Sequence, residues 1–202
     1  MLNRPLPAQR GVTIIELAVT LTVLGLLLAA TAPSASDWLR NLQIRNAAQT
    51  IHSGMQRART EAIRRNQNVT FSLVALTDVR IMNNSCALSS SGTSWVVSLQ
   101  SPQTKCGVTD ATAAPMIIDT YAGGDGNTNV VVAAKDASDA AASQVTFNGF
   151  GEVVSTGSPI FKVLVDNSVS GARFRKLQVS LSRAGNVRMC DPLATGTDPR
   201  TC

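Results

Sequence analysis

Near the start of this 202-residue chain, Gly11, Val12 and Glu16 form a set with reactive potential. Residues 12–32, VTIIELAVTLTVLGLLLAATA, contain Glu16 as their single charge. A carboxylate in such a run costs roughly 2.5 to 3.5 kcal/mol on insertion scales. The dipole of a helix N-terminus contributes only about 0.3 to 1 kcal/mol, too little to offset that cost. Hydrolysis between Gly11 and Val12 would supply what is missing. The new α-amino group of Val12 would stand one helical turn from Glu16, on the same face, and would pair with that carboxylate or with one in a neighbouring chain.

Cys86, Cys106, Cys190 and Cys202 are the second chemical set. Their even number, all beyond the apolar run, fits an oxidising compartment and two disulfides. Four cysteines permit three pairings. Local pairing, Cys86 with Cys106 and Cys190 with Cys202, is preferred because each closes one short loop and the second ties down a Pro/Gly-containing tail. Zinc is disfavoured: there is no C-x-x-C, and the single histidine, His52, lies in a helical stretch. Gly123-Gly124-Asp125-Gly126-Asn127-Thr128-Asn129 alternates oxygen side chains like the opening of a calcium loop, but Val130 stands where such a loop needs glycine. It reads as a polar turn. With one histidine and no paired carboxylates, nucleophilic schemes lack a base. The chain reads as a non-enzyme without metal or cofactor.

The elements that must position these residues follow from charge and periodicity. Residues 12–32 are long enough, at about 1.5 Å per residue, to cross a bilayer core. Arg4 and Arg10 would hold residues 1–11 on the cytoplasmic side. Ala30-Thr31-Ala32 offers an alternative cleavage site for ordinary secretion, but Pro33 directly after it makes a poor substrate and fits a kink in a continuing helix. Ile44, Ala48, Ile51, Met55, Ala58 and Ala62 then form one apolar stripe, so the helix turns amphipathic over residues 34–66. Arg40, Arg45, Arg57, Arg59, Arg64 and Arg65 fall mostly off that stripe and read as a solvated face.

Beyond Asn66 the period changes to two. Strands are expected at Val69–Leu76, Trp95–Leu99, Asn129–Ala133, Val145–Phe147, Ile160–Val165 and Leu177–Leu181. Turns are expected at Asn148-Gly149 and Gly185-Asn186, and loops over 82–94, 101–114 and 134–144. The net charge of +5 divides unevenly, with 33–66 and 171–202 each at +4 and 67–170 at −4. In the last segment Arg173, Arg175, Lys176, Arg183 and Arg188 form a candidate phosphate track, Arg173 and Arg175 alternating onto one strand face.

Arg10-Gly11-Val12-Thr13-Ile14-Ile15-Glu16-Leu17 resembles the class III signal of type IV prepilins, and Gly25 and Pro33 resemble the glycine and proline of the pilin stem. Val12 departs from the Phe or Met usual there. The resemblance implies cleavage after Gly11 and N-methylation of Val12 by a prepilin peptidase, with Glu16 setting subunit register. Val145-Thr146-Phe147-Asn148-Gly149 and Ser182-Arg183-Ala184-Gly185-Asn186-Val187-Arg188-Met189-Cys190 resemble the C-terminal half of the GspH/FimT branch. The implied fold is α+β, a pilin fold. It divides into a leader (1–11), a transmembrane and filament-core helix (12–33), an amphipathic stem (34–66) and a β-rich head (67–202).

The implied function is a minor type IV pilin that helps initiate or cap a pilus, anchored by one pass in the bacterial inner membrane with a periplasmic head, its partners being other pilins. The alternatives are a type II secretion pseudopilin H and a DNA-binding minor pilin. Some FimT proteins bind DNA through G-R-x-R, which is here Gly185-Asn186-Val187-Arg188 and lacks the first arginine. A singly anchored periplasmic binding protein is the reading from another class.

Overall fold

The computed structural model describes residues 11–124, 129–169 and 174–202, and of residues 29–35 only the backbone. The leader before Gly11, the side chain of Pro33, the centre of the 123–129 turn and Arg173 therefore lie outside the described residues. The chain divides into two compact units, Met1–Trp38 and Leu39–Cys202.

In the first unit, helix α1 (Ile14–Arg65) opens with Thr13 at its N-cap, where the hydroxyl accepts the Glu16 N–H at 3.3 Å. Thr13-Ile14-Ile15-Glu16 has the spacing of a capping box. Every large apolar residue from Val12 to Leu28 is more than half exposed. Among the described residues no helix is long and apolar enough to cross a membrane; the end of the apolar run, 29–35, is where side chains are not described.

In the second unit, α1 runs on to Arg65 and stops at Asn66, whose φ of 49° is left-handed. The Gln67 N–H reaches the Ala62 carbonyl at 3.2 Å and the Asn66 N–H that of Ile63 at 3.3 Å, a Schellman closure. All six residues of the apolar stripe are fully buried. They pack on two antiparallel sheets.

The first sheet contains β1 (Val69–Ala75), β2 (Ala87–Leu88), β3 (Ser94–Ser98), β4 (Ile117–Tyr121) and, on β1 again, β6 (Gln144–Phe147). The second has the order β5 (Val130–Lys135), β7 (Lys162–Asn167), β8 (Leu177–Leu181), β9 (Val187–Cys190). Alternate residues of both sheets, among them Phe71, Leu73, Trp95, Val97, Phe147, Val132, Val163, Val165 and Val179, join the stripe in one core. Gly54 lets the helix approach: a Cβ there would meet Phe71 Cε2 and Trp95 Cε2, each at 2.8 Å.

Four expectations need correction, the first being β7, which runs Lys162–Asn167 and not Ile160–Val165. β2 lies inside the stretch read as the loop 82–94, because a two-residue strand leaves no periodic trace. β4 falls where no strand was expected, since all five of its residues are half-buried and it shows no alternation. β5 runs two residues into the stretch read as the loop from 134, carried by its pairing with β7 through Lys135↔Lys162.

Candidate functional site

Both cysteine pairs close locally. The Cys86–Cys106 bridge sits on the far face of the first sheet in a small cluster with Val74, Leu76 and Val96. The Cys190–Cys202 bridge holds the tail along β9, where Thr201 bridges Asp191 and the Asp191 N–H donates to the Arg200 carbonyl at 2.7 Å. The Arg200 side chain holds the Asp198 carboxyl down to about 2.

Of the two residues expected on one strand face, Arg173 lies outside the described residues and Arg175 is not in a strand. Arg175 and Lys176 precede β8, because the chain is still turning there: Arg175 donates its backbone N–H to Asn41 Oδ1 at 2.8 Å. Lys176 pairs with Asp166 at 2.8 Å. Arg183 lines a shallow cleft with Asp136, Ser138, Ser155, Pro159 and Phe161. Arg188, on β9, donates to the main-chain oxygens of Thr201 and Cys202 at 2.8 and 2.6 Å. Among the described residues no group of histidine, cysteine, aspartate or glutamate could hold a metal ion.

What the fold does bring together is the end of α1 and two turns. Arg59 donates through Nε to the Gly151 carbonyl at 3.0 Å, and its two terminal nitrogens donate to Asn186 Oδ1 at 3.2 Å and the Ala184 carbonyl at 3.3 Å. One guanidinium thus clamps the turn after β6 and the β8–β9 turn onto the helix. The two turns also touch each other. Gly185 and Gly151 both have φ near +80°, 77° and 79°, and a Cβ on Gly185 would fall 1.8 Å from the Gly151 oxygen. In Gly185-Asn186-Val187-Arg188, the first two residues therefore close this contact and the last binds the tail.

Glu61, 4% exposed, is the other feature of this helix end. Arg64 reaches its Oε2 at 2.6 Å, Arg65 at 2.9 Å, and Arg57 lies 3.7 Å from Oε1. The hydrogen bond from Arg64 holds the Glu61 carboxyl below the usual carboxylate range, against burial, which raises it; Arg65 adds to the lowering. The arginines read as a solvated face are therefore largely engaged, and Arg40 also lies over the Phe174 ring at 5.6 Å. The Glu61 cluster had a signal in the sequence, arginines at −4, +3 and +4 from one carboxylate. Arg59 had none, because its partners are remote in sequence.

The model of the family described as Type II transport protein GspH matches residues 47–185, and that of the prokaryotic N-terminal methylation motif matches residues 6–32. No curated protein matches the sequence. Two crystal structures of the Pseudomonas aeruginosa type IV minor pilin FimU are similar in structure. The first is 16% identical with a TM-score of 0.45, covering 76% of this chain and 92% of that one. The second is 15% identical with a TM-score of 0.44, covering 76% and 97%. The core built by the amphipathic half of α1 and both sheets falls mostly inside 47–185, Gly11, Val12 and Glu16 fall inside 6–32, and the chain belongs to the GspH family of pilin-like structural subunits, which are not enzymes.

Proposed function

We propose that the chain is a minor type IV pilin, cut after Gly11 and methylated on Val12 by a prepilin peptidase, whose residues 12–33 anchor it in the inner membrane and then enter the core of a pilus. The observation that carries this reading is the exposed apolar side from Val12 to Leu28 beneath a methylation motif over residues 6–32. Such a surface needs lipid or neighbouring stems to cover it. Glu16 is the one charge on it and is suited to pair with the amine of Val12 in a neighbouring subunit. The head, 67–202, belongs in the periplasm, an oxidising compartment where its disulfides persist.

A secretion pseudopilin is the second reading, favoured by the printed description of the matching family. Deleting the chain and scoring pili against secreted protein separates the two. DNA as a partner draws less support from the cations first assigned to it, since Lys176 faces Asp166 and Arg188 faces the tail carbonyls.

The test of the main reading is the mature terminus. Mass spectrometry is expected to find a chain that begins at N-methylated Val12, and Glu16→Ala is expected to abolish incorporation into filaments while membrane insertion persists. A mature chain beginning near Pro33, or normal incorporation of Glu16→Ala, would overturn it.

A further inference from the structure

The two disulfides stand in opposite surroundings. Cys86 and Cys106 are 1% and 2% exposed, inside the apolar cluster with Val74, Leu76 and Val96. The Pro102 carbonyl oxygen lies 3.4 Å from the sulfur of each. A bridged sulfur has no proton to give that oxygen, and a thiolate formed there would face its partial negative charge in an apolar site. Burial and this oxygen both hold the bridge closed.

At the second bridge the balance reverses. Cys190 is buried, but Cys202 is exposed. The Ser180 hydroxyl lies 3.3 Å from Cys190 Sγ, and its oxygen already accepts a hydrogen bond from Gln178 Nε2 at 2.9 Å. Its proton is therefore free to point at the sulfur, where it would stabilise a thiolate on Cys190.

The stretch that this bridge ties down has little else to hold it. None of residues 191–202 is buried. Among the described residues, its hydrogen bonds to the rest of the head are the two that Arg188 gives to the main-chain oxygens of Thr201 and Cys202. Its other bonds are internal. Asp198 accepts the backbone N–H of Arg200 at 2.9 Å and its guanidinium at 3.0 and 2.6 Å, and the two ends meet where the Asp191 N–H donates to the Arg200 carbonyl at 2.7 Å. Residues 191–202 thus form a self-contained strap, fastened beside β9 by one covalent bond and one arginine.

We propose that this strap is redox-operated: a dithiol opens Cys190–Cys202 while Cys86–Cys106 stays closed, and the strap then swings off β9 and releases the Arg188 guanidinium. The inference goes beyond the filament reading and does not depend on it. A thiolate of the dithiol attacks Cys202 Sγ, and the bridge breaks with its electron pair leaving on Cys190, beside the Ser180 hydroxyl, to take a proton from water. The second thiol of the reductant then displaces Cys202 from the mixed disulfide. Two cysteine thiols are formed, and the dithiol is oxidised to its own disulfide.

The oxidised full-length chain in detergent is titrated with dithiothreitol, quenched with a maleimide and read at each cysteine by peptide mass spectrometry. Hydrogen exchange is measured on the same samples. Cys190 and Cys202 are expected to be alkylated at about tenfold less dithiol, or lower still, than Cys86 and Cys106 require. At that concentration the Asp191 amide should exchange at least about tenfold faster, while β1, β3 and β7 keep their protection. Ser180→Ala should slow opening at fixed dithiol by about threefold, through the poorer leaving sulfur. Arg188→Gln, which unfastens the strap, should lower the dithiol midpoint by about fivefold.

Joint opening of both bridges, earlier opening of Cys86–Cys106, or a Cys190–Cys202 bridge that resists dithiol until the head unfolds overturns the proposal. So does an opened bridge whose strap keeps its amide protection. Unchanged rate and midpoint in the two variants overturn the roles given to Ser180 and Arg188.

Discussion

Replacing Arg59 with methionine keeps the length and apolar stem of the side chain and removes the guanidinium that joins α1 to two turns. The bond to the Gly151 carbonyl is partly buried and contributes about 1 kcal/mol; the two exposed bonds, to Asn186 and Ala184, contribute about 0.5 kcal/mol each. The total is about 2 kcal/mol, which for a head of this size lowers Tm by about 4 to 8 °C. Thermal unfolding of the full chain in detergent, followed by the near-ultraviolet signal of buried Trp95, reads the loss. Hydrogen exchange reads the mechanism: the amides of 148–154 and 182–188 should lose protection together, although the two segments are far apart in sequence. Arg59→Lys should recover little, because an ammonium cannot serve three acceptors in a planar fork. A Tm within about 1 °C of the parent with protection retained in both turns would refute the clamp.

Two further perturbations test the same region. Glu61 has a folded pKa below its unfolded value, so its contribution is complete above the ordinary glutamate pKa of about 4.3 and is lost as pH falls through the lowered folded value. Glu61→Gln should therefore be less stable than the parent at pH 7 in urea unfolding, with the gap closing as pH drops below about 4; a pH-independent gap would count against the arginine cluster as its source. Gly185 and Gly157 have similar φ values, 77° and 79°, but different surroundings. Gly157→Ala meets nothing within 4 Å and should cost only the left-handed strain, about 1 to 2 kcal/mol. Gly185→Ala drives a Cβ into the Gly151 oxygen and should add about 1 to 3 kcal/mol for overpacking, read by the difference in denaturation midpoint.

The parts of this protein that were legible in the chain are those encoded by neighbours in sequence. Gly11, Val12 and Glu16 lie within one and a half helical turns of each other, so their likeness to an N-terminal methylation motif was readable in the chain. The stripe from Ile44 to Ala62 repeats every three or four residues, and it is buried along its whole length. Strand β8, whose apolar and polar residues alternate, was readable to the residue. The two-residue β2 and the half-buried β4 were not, because a strand stabilised by its partner carries no period of its own.

The basic residues show the same division more sharply. Composition marks two cationic segments, but a charge count has no direction. Folding sent Lys176 to Asp166, Arg188 to the tail and Arg64 and Arg65 to Glu61. Arg59 is the extreme case: its three acceptors stand 92, 125 and 127 residues away, and no local pattern links them. Its role exists because the return of β6 and the β8–β9 hairpin past the end of α1 set two turns within reach of one side chain.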